Sequence, residues 1–251
     1  MAMLIYAVLQ TKPGSGNLNT IPEDIKGIRE ELVYAVPFKE ITAVVGNINE
    51  TNVIPDKLDV IAYAGVIEKL LQKYTLLPMR FGSKMESNEA IKNMLENNYT
   101  EFQKNLQKVE NKVEFGLKIF CDAEKLKQDL LKKSEVKEVS PPHKSIESKN
   151  SVFTDYINKK LKEHRYEEML LRYVETVITE ITDCLSSLST DSRFTKMTSA
   201  KQLIDSVFLL EKEKDPLLIE NIQTLQKKHP GLNFILTGPW PPYSFVELTL
   251  K

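Results

Sequence analysis

The ten residues LTGPWPPYSF, Leu236 to Phe245, constrain this chain more than any other stretch. They hold Pro239, Pro241 and Pro242, together with the chain's one tryptophan, a tyrosine and a phenylalanine. Proline fixes φ and removes an amide donor, so the segment cannot be a helix or a central strand. It must run extended, with Trp240, Tyr243 and Phe245 held as rigid anchors. C-terminal segments are usually polar and loose; this one is neither. Burying each large aromatic is worth ~1.5–3 kcal/mol, and each preset proline lowers the ordering cost by about 0.4–1 kcal/mol. The sum favours a tail docked on the protein's own domains. The alternative is a surface that binds another molecule.

A docked tail needs a body. With 251 residues the chain can form one large domain or two ordinary ones. Its 41% hydrophobic and 27% charged content places it among globular proteins. A net charge of -1 gives no basic face for nucleic acid and no general attraction to a membrane. Cys121 and Cys184 are too few for a disulfide framework or a thiolate zinc site, and are expected to be reduced and inert. The opening MAMLIYAVLQ lacks a basic lead-in and is too short in its apolar run for a signal peptide. No window is long enough to span a membrane. These features predict a cytoplasmic protein.

Periodicity divides the chain. Residues 3–9 read as a buried strand, followed by a loop at Gly14 and Gly16 without the spacing of a phosphate cradle. Residues 31–36 and 39–48 read as strands, and Pro55 opens a helix to about Tyr74. The apolar face of that helix is read as Ile61, Ala64, Ile67, Leu71 and Tyr74. A short strand at 75–79 precedes a capping-box pattern, Ser83 with Glu86, and a second amphipathic helix through Val109.

Near residue 110 the pattern restarts. Val113, Phe115, Leu117 and Ile119 alternate as a half-buried strand, followed by a short helix at 123–131. Residues 132–151, rich in Lys, Ser, Glu and Pro, read as a mobile insertion. Residues 152–188 read as a long helix carrying a coiled-coil-like seam from Leu171 to Leu188. Strands at 193–197 and 206–210 follow, then a helix capped by Asp215 with Pro216 in its first turn, then a strand at 232–237.

The expected fold is therefore α+β with two domains. The N-terminal domain, 1–110, is a looser variant; the C-terminal domain, 111–237, is ferredoxin-like, β-α-β-β-α-β, with a long helix and the inserted segment. The tail, 238–251, docks on both.

Catalytic chemistry is not evident. His143 lies in the insertion, His164 on a solvated helix face, and His229 at a helix C-terminus, where the dipole accounts for it. None has metal-ligand spacing, and there is no nucleophile elbow. The acids of the long helix read as a solvated face rather than an acid/base pair. Two stretches remain: LPMRFGS, with Arg80 between Met79 and Phe81 at a strand exit, and the tail itself. An arginine in apolar company clamps the structure by pairing or stacking, or it meets a partner chain.

Both stretches carry a resemblance. LLPMRFGS at 76–83 and LTGPWPPYSFVEL at 236–248 resemble the two most recognisable motifs of the GvpF/GvpL family of gas vesicle proteins, and LIYAVL and VEFGLKIFCD fit as well. Tyr63 stands where that family often has a histidine, and Ser83 where threonine is usual. The resemblance implies a non-enzymatic accessory protein of gas vesicle formation, cytoplasmic and vesicle-associated, without cofactor or metal. It implies as partners the hydrophobic main shell protein and other accessory proteins, whose shell this chain helps to nucleate or assemble. Arg80, Phe81, Trp240, Tyr243 and Phe245 are the expected interdomain or partner contacts. Two other readings stay open. One is a small-molecule enzyme or sensor using a cleft between two ferredoxin-like domains near Arg80. The other is an adaptor that dimerises through the 171–188 seam, against the monomer expected if the seam covers its own sheet.

Overall fold

Strand β1, Ala2–Gln10, is buried from Leu4 to Leu9, which requires cover on both faces. It pairs antiparallel with β3, Ile41–Ile48, and the register slips between Ile5 and Ala7. Tyr6 is the extra residue of that bulge. In this computed structural model, residues 2–11, 21–22, 24–48, 56–121, 168, 172–195 and 202–248 are described.

The fold is α+β with two antiparallel sheets. The first adds β2, Val33–Phe38, β4, Leu76–Pro78, and the short β5, Lys84–Met85, in the order β2-β3-β1-β4 with β5 also on β1. Helix α1 is Lys57–Leu71, α2 is Asn88–Asn97 and α3 is Tyr99–Val109. Ile5, Val8, Val45 and Leu77 join one core with Ile91, Leu95, Phe102 and Leu106 of α2 and α3. The opposite side of β1 meets α1, where Tyr6 stacks on Tyr63 with ring centroids 4.9 Å apart.

The second sheet comprises β6, Lys112–Cys121, β7, Asp191–Phe194, β8, Gln202–Glu211, and β9, Leu232–Trp240, in the order β7-β8-β6-β9. Residues 172–188 are helical (α4), and α5 is Asp215–Lys228. The chain divides into two compact units: Met1–Phe115 with Leu209–Glu213 and Thr237–Lys251, and Gly116–Phe208 with Lys214–Leu236. The expected helix at 123–131 and insertion at 132–151 lie outside the described residues, as do the loop at 12–20 and most of 152–171.

Several local expectations are corrected. The buried face of α1 is Asp59, Tyr63, Val66, Ile67, Leu70 and Leu71, while Ile61 is exposed. The α1 cap is Asp56, whose carboxylate accepts from the Asp59 amide at 2.8 Å. Ser87, not Ser83, caps α2, because Lys84–Met85 is spent on pairing with β1. The single helix expected after it is two. Asn98 ends α2 by donating from its side chain to the Met94 carbonyl at 2.8 Å, and its own carbonyl starts α3 by accepting from Phe102. The N-cap of α5 is Lys214, with Asp215 already helical. Finally, β9 runs on through Pro239 to Trp240, which the sheet permits because β9 is an edge.

Candidate functional site

The sequence after β9 is fastened within the first unit by three kinds of contact. Phe245 is fully buried, and the Lys108 ammonium lies 5.8 Å from its ring centroid. Glu114, on the polar side of the alternating strand β6, is buried nevertheless. Its carboxylate accepts from both the amide and the hydroxyl of Ser244, each at 2.7 Å. Asn105 of α3 reads the next turn of the tail, donating to the Glu247 carbonyl at 3.3 Å and accepting from its amide at 3.4 Å. Val246 and Leu248 then pack on the core beneath.

Upstream, Gly238 has φ +120°, and a Cβ there would lie 2.8 Å from the Glu114 carbonyl oxygen and 2.9 Å from Phe115 Cδ1. Glycine is required by both the conformation and the close approach.

The strand exit after β4 is fixed as firmly. The Met79 amide donates to the Tyr6 carbonyl at 2.9 Å, and the Met79 carbonyl accepts from the Tyr63 hydroxyl at 2.8 Å. The carbonyls of Ile5 and Tyr6 lie beside that hydroxyl at 3.0 and 3.3 Å. Burial holds the Tyr63 phenol well above its ordinary range, so it stays a neutral donor. Phe81 packs edge-on against Tyr63 with centroids 5.0 Å apart. Gly82 turns the chain at φ +88°, and Ser83 donates to the Arg80 carbonyl from its amide at 3.0 Å and its hydroxyl at 2.8 Å.

Between these two fastened segments lies a hollow of about 580 Å³. Pro78, Met79, Val246 and Leu248 give it aliphatic walls, and Arg80, Phe81, Ser83 and Tyr243 complete its lining. Arg80 is exposed, and among the described residues its guanidinium has no carboxylate partner. Burial, then the nearby charges of Glu68 and Glu114, push the Tyr243 hydroxyl up to about 12, which leaves it a neutral donor at pH 7.

The structure thus brings Arg80, Phe81 and Tyr243 together and separates the three aromatics by role. Phe245 is the buried anchor, whereas Trp240 and Tyr243 remain 42% and 45% exposed. Sequence reasoning missed Glu114 and Asn105, which read as polar residues on ordinary element faces. It also missed Tyr63 as a support for the Arg80 loop. Alternation along β6 gave no signal for Glu114, since it sets that residue on the face opposite Val113 and Phe115. Among the described residues, no group of three or more His, Cys, Asp or Glu is placed to hold a metal ion. No helix among them is long and apolar enough to cross a membrane.

Comparison with known proteins places the chain in a wider set. The family model for gas vesicle synthesis protein GvpL/GvpF matches residues 2–247. Gas vesicle protein F of a Streptomyces strain is 24% identical over 250 residues, covering 98% of this chain and 100% of that protein. Gas vesicle protein L of the same strain is 23% identical over 264 residues, covering 97% and 92%. The crystal structure of GvpF from Anabaena superposes with a TM-score of 0.73 at 18% identity, covering 99% of this chain and 97% of that one, and so shares its fold.

Proposed function

The chain belongs to the GvpL/GvpF family of gas vesicle synthesis proteins, and from that premise we propose that it is a non-catalytic accessory factor. It binds the hydrophobic main shell protein and helps to nucleate or assemble the vesicle. One observation carries this reading: two motifs fastened down from beneath bring Arg80, Phe81 and Tyr243 together on a pre-organised, partly apolar surface, with Trp240 also exposed. A chain that fixes a backbone this firmly while leaving large aromatics exposed is built for a partner, since preorganisation removes ordering cost from binding.

In this reading Arg80, Phe81, Trp240 and Tyr243 are partner contacts, and Phe245 is the anchor that holds the last two in place. The protein acts in the cytoplasm or on the vesicle, as a monomer, beside other accessory proteins. The order β9-β6-β8-β7 supports a ferredoxin-like arrangement for the C-terminal half.

The test is co-expression of the tagged chain with the main shell protein, followed by pull-down, alongside deletion of the gene in a vesicle-forming host. Co-purification and loss of vesicles are expected. Consistent failure to co-purify, with vesicles forming normally in the deletion, would overturn the reading.

A further inference from the structure

We propose that the hollow beside Arg80 takes an extended segment of the partner in which an aliphatic side chain adjoins an aspartate or glutamate, with Arg80 holding the carboxylate. The proposal rests on the reading above and names the chemistry that the site selects.

Three observations carry it. First, Pro78, Met79, Val246 and Leu248 give the hollow an aliphatic side, which rewards an apolar side chain. Second, the one cation in the lining among the described residues is an arginine whose backbone is held on either side of its Cα: Met79 through Tyr6 and Tyr63, and its own carbonyl through Ser83. A fixed turn delivers the exposed guanidinium to the hollow at a low backbone ordering cost, which favours pairing with an external anion. Third, the guanidinium has no carboxylate within the described chain, while its planar fork suits a carboxylate in two-point contact. Together these make a charge-complementary pocket for an apolar residue and an acid on neighbouring positions. Tyr243 adds a neutral hydroxyl to the same lining.

The experiment uses the full chain co-expressed with the main shell protein, with captured shell protein quantified for wild type, Arg80→Gln and Arg80→Glu. Arg80 is exposed, so all three are expected to melt at the same temperature. Capture is expected to fall by at least about tenfold in Arg80→Glu and less in Arg80→Gln. Each acid of the shell protein that adjoins an aliphatic residue is then changed to lysine. One such change is expected to abolish capture by the wild-type chain and restore it for Arg80→Glu. Equal capture by wild type and Arg80→Glu overturns the carboxylate assignment while leaving the binding reading intact. So does loss of capture that no lysine substitution rescues. Failure of the wild-type chain to capture anything removes both.

Discussion

At the scale of single residues, the tail is held by side chains whose chemistry can be changed one at a time. Phe245→Ala removes a fully buried ring and is expected to cost ~3–5 kcal/mol. Denaturant unfolding measures that cost. Gly238→Ala must both adopt φ +120° and push into the β6 backbone, and a loss of about 1–3 kcal/mol is expected. By the same measurement Gly82→Ala should be milder, since its turn has φ +88° but open space around it. The rigid nature of LTGPWPPYSF was legible because proline acts through its own covalent geometry. Which aromatic would be buried was not legible. That rests on tertiary contacts such as the bond from Ser244, between the two rings, to Glu114, 130 positions away in sequence.

At the scale of elements, periodicity located the strands, because an alternating or continuously apolar run has few other uses. It failed where a polar side chain decided the backbone. Asn98 splits one expected helix into two without a proline or glycine to announce it, and Asp59 and Tyr63 occupy the buried face of α1 that Ile61 was expected to fill. Of the expected seam, α4 buries Ile181 and Leu185 and leaves Val174, Ile178 and Leu188 half-buried, while Val177, outside that seam, is buried as well. Sedimentation velocity is therefore expected to show a monomer, and a dimer broken by Ile181→Asp would restore the adaptor reading. Helices α4 and α5 are also pinned by polar groups: Lys228 donates to Glu180 at 2.5 Å, and His229 lies between Glu180 at 3.3 Å and the Tyr173 hydroxyl at 3.1 Å. The hydrogen bond from Lys228 holds the Glu180 carboxyl below its ordinary value, against the opposing effect of burial. A depressed carboxylate contributes stability above its unfolded pKa and loses it as pH falls through the folded one. Stability should thus decline below about pH 4.5, and Glu180→Gln should flatten that part of the curve. Thermal melts from pH 3 to 7 check this; a curve unchanged by Glu180→Gln would show the pin to be inert.

At the scale of the whole molecule, the sequence motifs at 76–83 and 236–248 are far apart along the chain, yet they line one hollow in one compact unit. Their oddness as sequences is thereby explained together: one supplies a cation and a ring on a locked turn, the other a ring and aliphatic walls on a locked tail. The central claim is that this shared surface meets the shell protein. It is tested most directly by placing the photo-cross-linker p-benzoylphenylalanine at Tyr243, and separately at exposed Lys92 on α2, and irradiating during vesicle formation. Mass-spectrometric mapping is predicted to find shell-protein peptides attached at position 243 in clear excess over position 92. Cross-links at 243 confined to this chain, or no more frequent than at 92, would contradict the account.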